Sequence, residues 1–258
     1  MDINTADLQP LIARVGGKTK IAKAIIARMP PHKTYVEAFV GGGSIYFRKP
    51  LVDVNVINDK DKEIIDIYRD VRDVDAVEVR KMKFTPSRHQ FNKIFKMKKY
   101  NSKTERLFRN LYLSKFSYGG NRITYWGEKE TREKAGTKHG EVLRRNAERY
   151  KAKLKRTHIL NTDFRNVIKR YDSPNTLFYF DPPYSQQVTR WGYAYLTITP
   201  EDVYNGIKNI KGKFILSYND SPEIKELFKD YKIKKIKTTY ELSGQRKEGI
   251  TELLISNF

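Results

Sequence analysis

Short apolar runs alternate with amphipathic stretches at both ends of this chain. Each run has the length of a strand, and the stretches between the runs carry apolar residues three or four positions apart, as helices do. The pattern predicts strands at 35–40, 54–59, 158–161, 177–180 and 213–217. Strands that alternate with helices form a parallel α/β sheet. We therefore predict a Rossmann-like sheet, with a closing hairpin at 232–240 and 250–257.

The middle of the chain has a different pattern. Amphipathic helices are predicted at 104–116 and at about 141–154, and their apolar faces suffice for a small core of their own. We predict a discontinuous α/β domain, residues 1–79 and 157–258, which carries a helical insert at 80–156. A short helix is also predicted at 45–48, where Pro50 would end it.

The insert carries most of the positive charge. The chain has 51 lysines and arginines and 30 acidic residues, a formal net charge of +21, and the insert holds 24 of these cations but only six of the acids. Aromatic residues recur through the same segment, too often for a disordered tail. A folded basic segment beside a nearly balanced remainder indicates a polyanionic partner, for which nucleic acid is the first candidate.

The composition excludes several kinds of site. Without cysteine, the chain has no disulfide, no thiolate metal site and no cysteine nucleophile. The four histidines are scattered, so no metal is expected. No apolar run is long enough to span a membrane, and the N-terminus lacks a signal-peptide pattern. A cytoplasmic location is therefore expected.

The strand predicted at 177–180 ends in an acid, two prolines and a tyrosine, residues 181–184. Two successive prolines cannot continue a strand. Asp181 is therefore expected at the carboxyl end of the sheet, where open α/β folds bind ligands. The turn would present a carboxylate, free carbonyls and an aromatic face, which suit a flat ring that carries an amino group. The alternative is a solvated aspartate in a Pro-Pro turn, and the segment alone does not decide between them.

Other strand ends predict a nucleoside site. Residues 41–43 are all glycine, and a ligand can approach such a turn closely. The dinucleotide fingerprint fails because Tyr46 occupies the position of its third glycine. Asp59 lies 18 residues beyond Gly41, about the spacing at which α/β folds bind a ribose. The end of the next strand adds Asp163 and Phe164.

Six short motifs occur in order along most of the chain. They are Gly16-Gly17-Lys18, FVGGG at 39–43, LYLSKFSY at 111–118, DPPY at 181–184, LSYND at 216–220 and ELL at 252–254. Each motif is loose, but their order and spacing together resemble the Dam-type (alpha-class) DNA adenine-N6 methyltransferases. The resemblance implies a methyltransferase sheet with a target-recognition insert and S-adenosylmethionine as methyl donor. It also implies an adenine flipped out of double-stranded DNA, and it leaves open whether a cognate restriction endonuclease is a further partner.

The resemblance implies roles for individual residues. Asp181 and Pro182 would accept the two N–H groups of the adenine amino group, and Tyr184 would stack on its ring. The residues implied to bind the donor are Gly16, Lys18, Phe39, Gly41, Gly43, Asp59, Asp163, Phe164 and Asp181. Those implied to contact DNA are Lys115, Tyr118, Asn121, Arg122 and Arg246.

The chain departs from the family in the residues that read DNA. The family has a Tyr-Asn pair in the insert, whereas Tyr118 is followed by Gly119 and Arg122 is offset. The family's usual GATC target is therefore not predicted. Three alternatives remain: an RNA adenine methyltransferase, because RNA is equally anionic; a cytosine-N4 methyltransferase, which more often has serine in place of Asp181; and a non-catalytic DNA-binding module.

Overall fold

The structure, a computed structural model, describes residues 6–126 apart from 13 and 15, residue 138, and residues 140–184, 198–242 and 245–258. Contacts divide the chain into two compact units. The sheet unit consists of Lys20–Val40, Leu51–Lys60 and Thr157–Phe258, and the helical unit of Met1–Thr19, Gly41–Pro50 and Asp61–Arg156. Within the described residues, no helix combines the length and apolar composition needed to cross a membrane.

The described strands of the sheet unit form one sheet. They are β1 (Thr34–Glu37), β2 (Val54–Asn58), β3 (His158–Leu160), β4 (Thr176–Phe180), β5 (Lys213–Asn219), β6 (Lys232–Leu242) and β7 (Gln245–Ser256). Their spatial order is β3-β2-β1-β4-β5-β7-β6. The first five in this order are parallel, and β7 runs antiparallel between β5 and β6. The predicted α/β sheet is confirmed.

The order of the parallel strands reverses beside β1. The chain passes from β1 outward through β2 to β3 and then returns to β4, on the other side of β1. In the register of these two strands, Glu37 lies beside Tyr179. The loops that follow two such strands leave the sheet toward opposite faces, which opens a crevice at the carboxyl ends. Residues just after Glu37 and Phe180 therefore occupy the expected ligand position.

The α-helices whose bounds lie wholly within the described residues are, in chain order, α1 (Ala22–Ile26), α2 (Lys62–Asp73), α3 (Ala76–Lys81), α4 (Arg88–Phe95), α5 (Lys103–Phe116), α6 (Ala147–Lys155), α7 (Phe164–Tyr171), α8 (Pro200–Ile207) and α9 (Pro222–Leu227). In the sheet unit, residues of α7, α8 and α9 bury apolar side chains with those of β1, β2, β4, β5 and β7 in one cluster. Helices α2 to α5 belong to the helical unit, and each begins at a side-chain cap, in order Asp61, Asp75, Ser87 and Ser102.

The helical unit contains the whole predicted insert and more. It adds the glycine turn and residues 61–79 to residues 80–156. Inside it, Lys153 of α6 is completely buried and its Nζ donates to the carbonyl oxygens of Phe47 (3.0 Å) and Lys49 (2.5 Å). The glycine-turn segment is thereby tied to the last helix of the insert. The limits of a recognition domain at 80 and 156 stay a prediction.

Three predicted elements have a different form. Residues 45–48 form turns rather than a helix, although the amides of Phe47 and Lys49 donate to the carbonyls of Gly43 (3.1 Å) and Ile45 (2.9 Å). The helix predicted at 141–154 is interrupted at Asn146, whose backbone (φ −106°, ψ 14°) leaves the helical conformation. The hairpin is confirmed but longer than predicted, since pairing continues to Leu242 and Gln245. The apolar pattern did not predict these added residues, because strands can pair through their backbones without an apolar sequence.

Candidate active site and nucleic-acid interface

A buried side-chain amide joins the carboxyl ends of three strands in the sheet unit. Asn58, the last residue of β2, is 1% exposed. Its Nδ2 donates to the carbonyl oxygens of Ala38 (2.9 Å) and Thr162 (3.1 Å), and its Oδ1 accepts from the Thr162 amide (3.0 Å). The chain segments after β1 and β3 are thus fixed to β2. Sequence reasoning missed Asn58, for which the one signal was its position immediately before Asp59.

Phe39 follows β1 and has an accessible face. It is partly exposed, and its ring packs against those of Phe164 (centroids 5.2 Å apart) and Phe180 (6.4 Å). Phe164, by contrast, is 2% exposed. It lies so close to Gly206 of α8 that a Cβ there would be 2.6 Å from the Phe164 ring. Of the two aromatic residues predicted to bind the donor, Phe39 is the one that a ligand can reach.

The two predicted donor-binding acids differ in what they already bind. Asp59 is 7% exposed, and its carbonyl oxygen accepts from Asn161 Nδ2 (2.8 Å). Asp163 caps α7 by accepting from the Arg165 amide (2.9 Å), and it also accepts from the Arg165 guanidinium (2.9 and 3.1 Å). These bonds from Arg165 lower the pKa of the Asp163 carboxyl below its ordinary value. Both acids stay predicted ligands of the donor.

Asp181 is partly exposed at the end of β4, next to buried Pro182. The register that pairs Phe180 with Leu216 of β5 brings the two following residues together. Asp181 Oδ1 accordingly lies 3.4 Å from the hydroxyl of buried Ser217. A carboxylate that reaches solvent while its support is buried can be held in one orientation toward a ligand.

Tyr184 is packed into the sheet unit. It is 7% exposed, its ring stacks on that of Tyr218 (centroids 5.0 Å apart, planes at 22°), and its hydroxyl donates to Glu252 Oε1. Its predicted stacking on an adenine stays a prediction. Sequence reasoning noticed the motifs around Ser217 and Glu252 but gave these two residues no role, because only the strand order places them beside residues 181–184.

In the helical unit, two glycines of the turn have different surroundings. Gly41 and Gly43 both have positive φ, +47° and +76°. A Cβ on Gly41 would meet nothing within 4 Å, whereas one on Gly43 would lie 2.8 Å from the Phe47 ring and 2.9 Å from the Tyr68 hydroxyl. Among the described residues, packing therefore requires glycine at 43, whereas at 41 only the backbone conformation favours it.

Residues 117–125 of the insert form a tight turn. The backbone of Ser117 pairs with that of Tyr125 in an antiparallel bridge. Asn121 Oδ1 accepts from the amides of Ile123 (2.9 Å) and Thr124 (3.0 Å) and so shapes the end of the turn. There, Ile123 is 57% exposed. Sequence reasoning missed Ile123, since a single apolar residue in a polar loop is no signal by itself.

Two predicted DNA contacts in this turn are held within the helical unit. The Tyr118 ring packs against Trp126, with centroids 4.1 Å apart. Arg122 has a positive φ of 64° and pairs with Asp61 (2.5 Å) and Glu63 (3.3 Å). Burial would raise the pKa of Asp61, but the charges of Arg122 and its neighbours outweigh burial and lower it. Arg122 must leave this pair before it can reach a base.

Two predicted lysine contacts point inward as well. Lys18 is 3% exposed and donates to the Gly16 carbonyl (3.0 Å). The Lys115 ammonium is buried 5.3 Å from the centre of the Phe84 ring, and within the described residues it has no hydrogen-bond partner. The side chain of Arg246 lies outside the described residues. These contacts stay predictions, and the described part of the chain shows no acid or histidine cluster placed to hold a metal.

Comparison with known proteins gives concordant matches. A family model described as D12 class N6 adenine-specific DNA methyltransferase matches residues 15–242. The type II methyltransferase M.MjaIII of Methanocaldococcus jannaschii is 26% identical, over 98% of this chain and 100% of the relative. The type II methyltransferase M1.LlaDCHI of Lactococcus lactis subsp. cremoris is 25% identical, over 99% of this chain and 97% of the relative.

Alanine substitutions should separate the two glycines of the turn. Gly43→Ala should lower the free energy of unfolding by about 2–4 kcal/mol, because the new methyl group meets Phe47 and Tyr68. Gly41→Ala should cost only about 1 kcal/mol, for its backbone conformation alone. Urea denaturation of both variants measures the difference. Equal losses would contradict the distinction drawn from their surroundings.

Replacing Lys115 should change how stability depends on pH. Burial lowers the pKa of the Lys115 ammonium to about 7. Between about pH 7 and 10 the unfolded chain therefore binds a proton that the folded chain releases, and stability rises with pH. Lys115→Met should remove this rise and raise the free energy of unfolding at about pH 6 by about 1 kcal/mol or more. Denaturation curves at several pH values test this, and a loss of stability at pH 6 would refute it.

Proposed function

The chain belongs to the D12 class N6 adenine-specific DNA methyltransferases, and on that premise we propose that methyl transfer takes place at Asp181. The family methylates adenine in DNA, so the RNA, cytosine and non-catalytic alternatives are set aside. A methyltransferase of this kind implies S-adenosylmethionine as the methyl donor. One observation supports the location most. Asp181 is a partly exposed carboxylate at the carboxyl end of β4, where the strand order reverses.

Methyl transfer to an adenine amino group needs two hydrogen-bond acceptors and a fixed negative charge. The Asp181 carboxylate and the Pro182 carbonyl would each accept one N–H of the adenine amino group, and so direct the nitrogen lone pair out of the ring. The bound donor supplies a methyl group on positively charged sulfur. As the nitrogen–carbon bond forms and the sulfur–carbon bond breaks, the Asp181 carboxylate stabilises the positive charge that develops on nitrogen. The nitrogen then releases one proton to solvent.

The residues present suit an adenosine-containing donor. In the sheet unit, Phe39 offers an accessible ring face for a base, with Phe164 beneath it. Asp59, after β2, is an acceptor for ribose hydroxyls. Gly41, in the helical unit, is proposed from the resemblance, and among the described residues a Cβ built on it would meet no atom within 4 Å. Asp163, Gly16, Lys18 and Gly43 are proposed from the resemblance, with the internal contacts already described.

The DNA-facing surface is proposed on the 117–125 turn. An adenine inside the duplex is out of reach of Asp181, so the base must leave the stack. Arg122 is paired with Asp61, and the Asn121-shaped end of the turn presents Ile123. An apolar side chain at such a position can wedge between base pairs and help to open the stack. Lys115, Tyr118, Asn121 and Arg246 remain proposed contacts.

We also propose a restriction endonuclease as a functional partner. The proposal is supported by the names of the two relatives, both type II methyltransferases. An endonuclease that cleaves the sequence methylated by this chain would be blocked by its product. Co-expression tests this proposal: a neighbouring nuclease gene should be lethal without this chain and tolerated with it.

Asp181→Asn should abolish most methyl transfer while the fold persists. Removing the fixed charge should slow single-turnover methylation at least about 100-fold. The dissociation constant for duplex DNA should stay within about threefold, and the rates are compared at saturating S-adenosylmethionine because Asp181 is also an implied donor contact. Asp53→Asn is the matched control, since Asp53 is an exposed aspartate of the same unit. Substantial turnover by Asp181→Asn would place the chemistry elsewhere.

Ile123→Ala should weaken productive DNA binding. The variant loses much of the apolar surface that would be buried in DNA, worth about 1–2 kcal/mol, and therefore about tenfold in affinity. Val77→Ala is the control, because Val77 is also aliphatic and 49% exposed but lies on α3. Titration of fluorescent duplex DNA measures both. An equal effect of the two substitutions would argue against a wedge at Ile123.

A further inference from the structure

Two motifs of the chain have no part in the mechanism above. They are LSYND at 216–220, in β5 and just after it, and ELL at 252–254, in β7. The sheet places them side by side, since Ser217 pairs with Leu254 and Asn219 with Glu252. The same sheet sets β5 beside β4, so LSYND lies next to the turn that begins at Asp181. ELL lies one strand further away, and its Glu252 reaches the turn by accepting from the Tyr184 hydroxyl.

The Ser217 hydroxyl lies at the centre of a buried polar cluster. Its oxygen is 3.4 Å from Asp181 Oδ1, 3.2 Å from Glu252 Oε1 and 3.3 Å from the Tyr179 hydroxyl. The Tyr184 hydroxyl donates to the same Glu252 oxygen. Ser217 and Glu252 are completely buried. The cluster thus links the first and last residues of the 181–184 turn through two side chains from other strands.

The protons of the cluster limit what Ser217 can do. Burial, and then the charge of Asp181, raise the pKa of Tyr179 well above its ordinary value. The Tyr179 hydroxyl therefore stays protonated and can donate a hydrogen bond to Ser217. The single proton of Ser217 is then directed to one carboxylate at a time. The Ser217 hydroxyl donates either to Glu252 or to Asp181, and in both cases Glu252 accepts a hydrogen bond from the Tyr184 hydroxyl.

We propose that Ser217 is a positioning residue for Asp181 and that Glu252 supports the turn from beneath. With its single proton directed to Asp181, the Ser217 hydroxyl fixes the rotation of that carboxylate, so that one oxygen faces the adenine amino group. Glu252 accepts the hydrogen bond of the Tyr184 hydroxyl and so holds the last residue of the turn in place. This inference rests on the proposed function, because Ser217 acts only through Asp181.

The burial of Glu252 supports a functional reason for the cluster. A buried carboxylate is costly unless hydrogen bonds compensate for the lost solvation, and an apolar residue at this position of β7 would avoid the cost. Its neighbours in the strand, Leu253 and Leu254, are apolar and buried. Of these three residues, Glu252 is the one whose side chain is hydrogen-bonded to Tyr184 of the turn and to Ser217 beside Asp181. A polar side chain is useful at this position because it can hold the turn in place.

The test is the single-turnover rate of Ser217→Ala and its rescue. The variant should methylate about 10- to 100-fold more slowly, the cost of a slightly misplaced reacting group. Dissociation constants for S-adenosylmethionine and duplex DNA should change less than about threefold, and 2-aminopurine fluorescence at the target position should report unchanged base extrusion. Ser217→Thr, which keeps the hydroxyl, should restore the rate to within about threefold. A wild-type rate for Ser217→Ala would overturn the proposal.

Companion variants separate positioning from stability and from the proposed function. Thr176→Val removes a buried hydroxyl at the other end of β4, where it donates to the Tyr171 carbonyl (2.6 Å), and it should lower stability without slowing methylation. Glu252→Ala should slow methylation as Ser217→Ala does, and Glu252→Gln should recover it. Equal slowing by Thr176→Val would overturn positioning. If Asp181→Asn is inactive while Ser217→Ala is fully active, only this inference fails; if Asp181→Asn is active, the proposed function fails first.

Discussion

The carboxyl edge of the sheet depends on the hydrogen bonds of one buried group, the side-chain amide of Asn58. It is buried, and an unsatisfied amide there would cost about 1–3 kcal/mol, so the segments after β1 and β3 must meet it. Three independent stretches of sequence are thereby brought to one edge. Phe39, Asp59 and Asp163 follow those stretches within a few residues. Their common position thus results from hydrogen bonding as well as from strand order.

Most of the fold could be predicted from the sequence, because it depends on local patterns. Apolar runs gave the strands, and the prolines after Asp181 located the end of β4. The orientation of Arg122 and Lys115 could not be predicted. It depends on Asp61 and Phe84, which are distant in sequence, and no periodicity records such a contact. The contact between Asp181 and Ser217 could not be predicted for the same reason, although the LSYND motif that contains Ser217 was recognised in the sequence.

The positive charge of the insert is less available than its sequence suggests. Helix α2 and its capping residue Asp61 lie outside the insert, yet their acidic side chains pair with cations of the insert. The pairs are Asp61 with Arg122, Glu63 with Arg109, Asp70 with Arg106, and Asp73 with Lys103. Hydrogen bonds from Arg72 and Lys103 hold the pKa of Asp73 at about 2. Net charge counted by segment therefore overstates the field that DNA would meet.

The place of β7 in the sheet has a consequence for how the protein is made. Glu252 reaches Tyr184 and Ser217 only when β7 has entered between β5 and β6. On the ribosome, the whole basic insert is translated about a hundred residues earlier. A chain released before β7 would keep every cation of the insert but would lack the support of Asp181. Such a fragment would hold the charge of the insert without the hydrogen bond from Tyr184 to Glu252 that completes the 181–184 turn.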